Sequence, residues 1–269
     1  MNRIITYTTD WGRAHANMGL LKLGVHQKIP SHQPIDFSLS VSDGDVLHAA
    51  QLIKDGGQFL PEGVVHIILV GVFKATGIRL VFVKHAEQYY ILPDNGLIYL
   101  LFGGTPDLII DAFLTSERIS FGDIECFVEK SIQHIESGLE DGTIDMQVEE
   151  KRIVQVRKSD NRIDCNVIDV DRFGNITLNI DFSTFSNAVA GKEFKVEVPK
   201  ESSVNQSGNF YKVTSVTHSY SVDEPLFLRV KRNGLLELGL FKKSLIARFD
   251  YDAGNRRNLT NIQISFFLS

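Results

Sequence analysis

The chain has 269 residues, of which 43% are hydrophobic and 23% are charged, and its formal net charge at pH 7 is −5. This composition is that of an ordinary folded protein, and the length fits one large or two medium domains. Acidic and basic residues are mixed along the chain, which argues against nucleic acid or an anionic membrane surface as a partner.

The longest apolar stretches are about half the roughly 20 residues that span a bilayer, and the first residues resemble a strand rather than a secretory signal. The two cysteines, Cys126 and Cys165, have no metal-ligand spacing, and the eight histidines are scattered. We therefore expect a cytoplasmic protein that holds no metal and no cofactor and does not contact a membrane.

In the first half of the chain, short runs rich in β-branched and aromatic residues alternate with helix-like segments. This alternation indicates βαβ units, so we predict an α/β N-terminal domain with a largely parallel central sheet over residues 1–150. The run at residues 64–72 is apolar at nearly every position except His66, as expected for a central strand covered on both faces. The predicted strands are residues 3–8, 34–37, 64–72, 78–83 and 88–92, and the predicted helices are residues 17–28, 45–54 and 124–137.

An acidic stretch follows the last of these helices, and we interpret residues 139–150 as a solvated linker. Beyond it, short strands alternate with turn signals such as Gly191-Lys192 and Asn233-Gly234, a pattern typical of small antiparallel barrels and sandwiches. We therefore predict an all-β, barrel-like C-terminal domain over residues 151–269. Its predicted strands are residues 152–157, 162–169, 192–198, 210–216, 226–229 and 245–249.

The first motif that suggests a site follows the first predicted strand directly. Residues 8–12 read Thr-Thr-Asp-Trp-Gly, and α/β sheets bind their ligands at the carboxyl ends of parallel strands. The Asp10 carboxylate can accept hydrogen bonds from two ribose hydroxyls, and Gly12 lets a ligand approach the backbone closely. Capping of the next helix by Asp10 explains the same residue equally well, so both interpretations stay open at this point.

Three further motifs have ordinary explanations when each is taken alone. Residues 93–96 read Pro-Asp-Asn-Gly after a strand, which is common turn composition. Residues 171–175 read Asp-Arg-Phe-Gly-Asn, in which the aromatic ring can stack on a purine and the amide can hydrogen-bond its edge. A β-turn with Phe173 in the core is nevertheless the interpretation that these residues favour. Residues 233–238 look like a hairpin turn that enters a strand.

Taken together and in order, these segments resemble the S-adenosylmethionine hydroxide adenosyltransferases, relatives of the fluorinating and chlorinating enzymes that act on the same substrate. The matching segments are residues 9–12, 36–39, 60–66, 93–96, 171–175 and 233–238. The resemblance implies an α/β N-terminal domain, a C-terminal β-barrel and an adenosyl ligand. It also implies a homotrimer whose ligand sites lie between the N-terminal domain of one subunit and the C-terminal domain of its neighbour.

The resemblance also implies roles for individual residues. Asp10 would hold the ribose hydroxyls, Asn95 would face the ligand, and Phe173 with Asn175 would contact adenine. Trp11 stands where the family has Phe, and the larger indole would either stack on the ligand or occupy its space.

The departures from the family lie where it activates water. Its Asp, Arg and His correspond to Gly71, Ile78 and either Asp123 or a deletion. Removal of one positioned acid–base group costs on the order of 100- to 10,000-fold in rate. We therefore predict an adenosyl-binding protein in which hydrolysis of S-adenosylmethionine to adenosine and methionine is absent or weak.

Two alternatives stay open. An active hydrolase would use a substituted polar set. Arg79, displaced by one residue from the family's arginine, is one candidate, and Lys74, Asp123 or Glu125 could rebuild a polar cluster from other positions. A non-catalytic structural or partner-binding remnant would bind no small ligand, and side chains such as Trp11 and Phe73 would fill its pocket.

Overall fold

The computed structural model describes residues 3–138, 144–151, 155–198, 209–212, 216–217, 226–248 and 262–269. The chain divides into two compact units, Met1–Arg152 and Ile153–Ser269, and each is described by itself.

Within the described part of the first unit, six strands form one sheet in the order β2-β1-β3-β5-β4-β6. The strands β2, β1, β3 and β5 run parallel to one another, whereas β4 is antiparallel to both β5 and β6. The prediction of a largely parallel sheet is thus confirmed. The strands are β1 (Ile4–Thr9), β2 (Gln33–Ser38), β3 (Val65–Leu69), β4 (Arg79–His85), β5 (Gln88–Pro93) and β6 (Leu108–Leu114).

Helices cover both faces of this sheet. One hydrophobic core joins α1 and α4 to side chains such as Ile67, and a second core joins α2 and α3 to side chains such as Ile68 on the opposite face. All five residues of β3 are buried, which confirms its central place. The helices are α1 (Ala16–Lys28), α2 (Val46–Gly56), α3 (Leu97–Phe102) and α4 (Phe121–Ser137).

The second unit is built around one hydrophobic core. Among its described residues, nine strands form a sheet in the order β11-β10-β15-β8-β9-β14-β13-β12, with β7 added beside β8. The pairs are antiparallel except β12 with β13, and the sheet curls as a half-barrel, as predicted. The elements are β7 (Arg157–Ser159), β8 (Arg162–Val170), β9 (Ile176–Asp181), α5 (Phe182–Val189), β10 (Phe194–Val198), β11 (Asn209–Lys212), β12 (Val216–Thr217), β13 (Leu226–Val230), β14 (Leu235–Leu240), α6 (Leu245–Arg248) and β15 (Gln263–Leu268).

Three predicted elements differ from the structure. The strand predicted at residues 64–72 ends at Leu69, because the chain turns at Gly71. The strand predicted at residues 245–249 is the short helix α6, whose first turn is capped where the Ala247 N–H donates to Ser244 Oγ at 3.2 Å. Of the strand predicted at residues 152–157, residues 152–154 lie outside the described part and only Arg157 belongs to β7.

Candidate functional site

The Asp10 carboxylate lies at the carboxyl end of β1. Its Oδ2 accepts hydrogen bonds from the backbone N–H groups of Gly44 and Gly71, each at 2.8 Å. The capping interpretation is wrong, because His15 caps α1 by accepting from the Asn17 N–H at 3.3 Å. Asp10 therefore lies at the carboxyl edge of the parallel strands, where α/β sheets commonly bind ligands, rather than at a helix terminus.

Asn95 lies beside this carboxylate at the end of β5. Its Nδ2 donates to the Val70 carbonyl at 3.0 Å, while its buried Oδ1 has no hydrogen-bond partner among the described residues. A Cβ added to Gly71 would lie 3.2 Å from Asn95 Nδ2. The structure thus brings Asp10 and Asn95 together across three neighbouring strands, and we call Asp10, Gly44, Gly71 and Asn95 the Asp10 cluster.

Gly71 and Ile78, the two positions at which the resemblance predicts a replaced aspartate and arginine, lie in a tight turn and in the core. Gly71 has a φ of 71°, and an added Cβ would also lie 3.4 Å from Gly44 Cα. A side chain at position 71 would therefore be strained and crowded. Ile78 is 6% exposed and belongs to the core beneath α1 and α4.

Trp11 is held by other aromatic side chains. Its ring stacks on Phe73 with 5.5 Å between centroids, and it meets the edge of Phe121 at 6.1 Å. The indole Nε1 is buried, and within the described ranges it has no hydrogen-bond partner. Phe73 keeps 38% of its surface exposed, and Trp11 is half-buried.

Arg79, the first candidate substitute for the family's arginine, forms structural contacts in the first unit. Its Nη2 forms an ion pair with Oδ2 of Asp94 and donates to the Gln147 carbonyl at 2.8 Å. The Asp94 side chain is fully buried, and its Oδ1 accepts from the Glu149 N–H at 2.8 Å. Arg79 and Asp94 therefore fasten the segment around residues 147–149 to the first unit.

This anchoring corrects the interpretation of residues 139–150 as a solvated linker. Residues 139–143 lie outside the described part, but the Ile144 N–H donates to the Ile109 carbonyl at 2.9 Å. Met146 and Val148 pack against the core beneath α2 and α3. The acidic composition did not predict this contact, because the apolar side chains between the carboxylates are the ones that pack against the core.

Asp123, the second candidate substitute, caps α4. Its Oδ2 accepts from the Ser120 hydroxyl at 2.7 Å and from the Ser120 N–H at 2.9 Å, which completes a capping box. The hydrogen bond from the Ser120 hydroxyl lowers the pKa of Asp123. The side chain therefore has a local structural role at the start of the helix.

In the second unit, Phe173 is presented on a rigid turn. Asp171 Oδ1 accepts from the N–H groups of Phe173 and Asn175 at 2.8 and 2.9 Å, and its Oδ2 accepts from Asn175 Nδ2 at 2.9 Å. The turn was predicted, but the placement of Phe173 in the core is wrong, because its side chain is 69% exposed. Asn175 is the buried residue instead, and its side-chain amide stabilises the turn by donating to Asp171.

Phe173 and Asn175 line a cavity of about 470 Å³ in the second unit, which we call the Phe173 cavity. Its other lining residues could not be predicted from the sequence, because they form no motif and lie on β13, at the end of β14 and in the segment that follows it. These residues are Phe227, Leu240, Phe241, Lys242, Lys243 and Ser244.

His66 has the structural role expected for a buried histidine. Its Nε2 lies 3.3 Å from Gln88 Oε1, which can only accept, so Nδ1 accepts from the Thr6 hydroxyl at 2.8 Å. Its ring also stacks on Tyr90 with 4.8 Å between centroids. Burial lowers the pKa of His66 to about 4, although the hydrogen bond with Gln88 opposes the shift.

We expect this buried imidazole to make folding pH-dependent. The pKa of His66 is lower in the folded chain than its value of 6.5 in the unfolded chain. The neutral imidazole therefore contributes fully to the free energy of unfolding above pH 6.5, and this contribution is lost as the pH falls towards 4. At about pH 5, the free energy of unfolding should be about 2 kcal/mol lower than at neutral pH. Urea unfolding of the wild-type chain and of His66→Gln at both ends of this range measures the difference. An equal pH dependence in the two proteins would contradict it.

The described residues include no helix that is long and apolar enough to cross a membrane. In the same ranges, no group of three or more histidine, cysteine, aspartate or glutamate side chains is placed to hold a metal ion.

Comparisons with known proteins agree with this architecture. Residues 5–127 match the model of the SAM hydroxide adenosyltransferase N-terminal domain. The chain is similar to the crystal structure of an uncharacterized conserved protein from Thermotoga maritima, with a TM-score of 0.72, 19% identity, and coverage of 98% of this chain and 99% of that one. It is also similar to a conserved hypothetical protein from Thermus thermophilus, with a TM-score of 0.67, 20% identity, and coverage of 99% and 100%. These two structures share the fold of this chain. The similarity in sequence to a known family comes from the match over residues 5–127. Over residues 5–127, which are less than half of the chain, the sequence is similar to the N-terminal domain of the S-adenosylmethionine hydroxide adenosyltransferases.

Proposed function

We propose that the chain binds an adenosyl ligand, S-adenosylmethionine or adenosine, and that its hydrolysis of S-adenosylmethionine is absent or weak. The observation that carries this proposal is the Asp10 carboxylate, held by two backbone N–H groups at the carboxyl edge of the sheet. In a chain similar to this family, a carboxylate so placed is suited to the hydroxyls of a ribose.

The geometry of the Asp10 cluster supports ligand binding. A carboxylate offers about four acceptor positions, and the two N–H donors occupy only those of Oδ2. They also fix the plane of the group before a ligand arrives, so little orientational freedom is lost on binding. Asn95 Oδ1, buried and unpartnered within the described ranges, is a second acceptor beside it.

The same residues argue against efficient hydrolysis. Gly71 and Ile78 offer no group that can orient or polarise water. Three of the candidate substitutes are engaged in other contacts, Arg79 with Asp94, Lys74 with Asp43 and Asp123 with Ser120. An active site built on Arg79 and Asp123 would have to break an ion pair to a fully buried carboxylate and also break a helix cap.

Phe173 is proposed as the surface on which adenine stacks. Substitution of Phe173 by alanine should weaken adenosine binding by roughly tenfold or more, since base stacking on an aromatic ring contributes about 1–3 kcal/mol. Because the ring is 69% exposed, the melting temperature should change little. Calorimetry with adenosine measures the loss, and Phe182→Ala, at a partly exposed phenylalanine on α5, is the matched control. Unchanged adenosine affinity in Phe173→Ala would contradict the stacking role.

Incubation of concentrated protein with S-adenosylmethionine tests the catalytic half of the proposal. We expect no adenosine or methionine above a no-enzyme control by chromatography. Product that vanishes in Asp10→Ala would instead favour the hydrolase with a substituted polar set. Failure of both adenosine and S-adenosylmethionine to bind in calorimetry would favour the non-catalytic remnant.

A further inference from the structure

Two lysines line the same cavity as Phe173. Lys242 and Lys243 follow β14, and both are exposed at the surface. Lys242 has a φ of 55°, a left-handed conformation that non-glycine residues seldom adopt. The loop thus holds an unfavourable backbone conformation at the point where two ammonium groups border an aromatic surface.

Among the described residues that line or adjoin the Phe173 cavity, positive side chains outnumber negative ones. Neither lysine forms an ion pair with a carboxylate among the described residues, and the exposed Arg172 adds a third cation in the turn that carries Phe173. In the described part of the chain, the negative side chain in this turn is Asp171, whose carboxylate accepts three hydrogen bonds inside the turn. The cavity therefore combines an aromatic ring, a hydroxyl at Ser244 and an excess of positive charge.

We propose that the ligand of this cavity is an adenine nucleotide, in which a phosphate group meets Lys242 and Lys243 while the base stacks on Phe173. This inference rests on the proposed adenosyl-binding function and narrows its ligand class. A phosphate carries about −1.5 to −2 charge at pH 7 and accepts hydrogen bonds readily from lysine ammonium groups.

S-adenosylmethionine fits the same charges less well. Its sulfonium centre is a cation, and like charges brought together in a cavity repel one another. A phosphate ester on the ribose is an anion, so the ammonium groups of the two lysines attract it. The excess of cations thus favours a phosphorylated adenosine over the sulfonium compound.

Calorimetry with adenosine, AMP and S-adenosylmethionine tests the proposal. We expect AMP to bind at least about tenfold more tightly than adenosine at low salt, and the difference to shrink as ionic strength rises. In Lys242→Met/Lys243→Met, AMP affinity should fall to that of adenosine, while adenosine affinity stays unchanged. Lys243→Met alone, which leaves the left-handed residue in place, should give a partial loss. Lys195→Met, at an exposed lysine on β10, is the matched control.

Three outcomes would overturn the nucleotide proposal. Equal affinity for AMP and adenosine would show that the phosphate makes no contact. Equal weakening of both ligands in the double variant would show that the lysines contact the base instead. Displacement of AMP by an equal concentration of inorganic phosphate would indicate a general anion site. If adenosine, AMP and S-adenosylmethionine all fail to bind, the adenosyl-binding function itself fails, which is a different result from binding adenosine and AMP alike.

Discussion

Substitution of Asp10 by asparagine is expected to weaken adenosine binding by roughly 10- to 100-fold, the range of a lost hydrogen bond to a charged group. Asparagine keeps one carbonyl oxygen, which can still accept from the N–H groups of Gly44 and Gly71. Its amide nitrogen replaces the remaining carboxylate oxygen, so the charge and one acceptor for the ribose hydroxyls are lost. Calorimetry with adenosine measures the affinity.

Two controls separate this effect from misfolding. The melting temperature of Asp10→Asn should stay close to that of the wild-type chain, because the contacts of Oδ2 are preserved. Glu62→Gln removes one carboxylate charge from the exposed loop before β3, at the opposite end of the strands, and should leave adenosine binding unchanged. An Asp10→Asn protein that binds adenosine like the wild type would exclude Asp10 as the ribose ligand.

Substitution of Arg79 by methionine is expected to destabilise the fold by about 3 kcal/mol, as seen when a buried charge loses its partner. The Asp94 carboxylate is fully buried, and without the guanidinium it would keep only the neutral Glu149 N–H as a described hydrogen-bond donor to Oδ1. Methionine retains much of the apolar stem of arginine, so the loss reports the charge rather than the packing. Urea unfolding measures the difference.

The double substitution Arg79→Met/Asp94→Asn tests whether the unpaired Asp94 charge causes the loss of stability in Arg79→Met. Because it removes both charges, it should recover a large part of the stability that Arg79→Met loses. If instead Arg79→Met keeps full stability and removes an adenosine-forming activity, Arg79 acts in catalysis rather than in the ion pair. The pair of variants thus distinguishes the structural role of Arg79 from the hydrolase alternative.

Much of the first unit could be predicted from its sequence. The apolar run around His66 and the spacing of the following strands were sufficient to place a buried central strand in a largely parallel sheet. The position of Asp10 after β1 followed from the same pattern, because parallel strands end at one edge. The local sequence did not reveal that the backbone of Gly44 and Gly71 would orient its carboxylate, since these contacts join residues 34 and 61 positions away.

Other features depend on tertiary contacts that leave no periodic pattern. The helix α3 has six residues, too few to show a 3.6-residue repeat, and was not predicted. The exposure of Phe173 depends on Asp171, which uses its whole carboxylate to hold the turn. A phenylalanine in a turn has no sequence signal that distinguishes a core side chain from a binding surface. Arg79 and Asp94 likewise became partners only when β4 and β5 paired.

The turn at Gly71 leaves little room for a side chain at this position. A single change to aspartate would place a side chain on a left-handed backbone, against Asn95 Nδ2 and Gly44 Cα. It would also disturb the N–H group that holds Asp10. A carboxyl group at this position would therefore require Asn95 or the Gly44 loop to shift by a few tenths of an ångström.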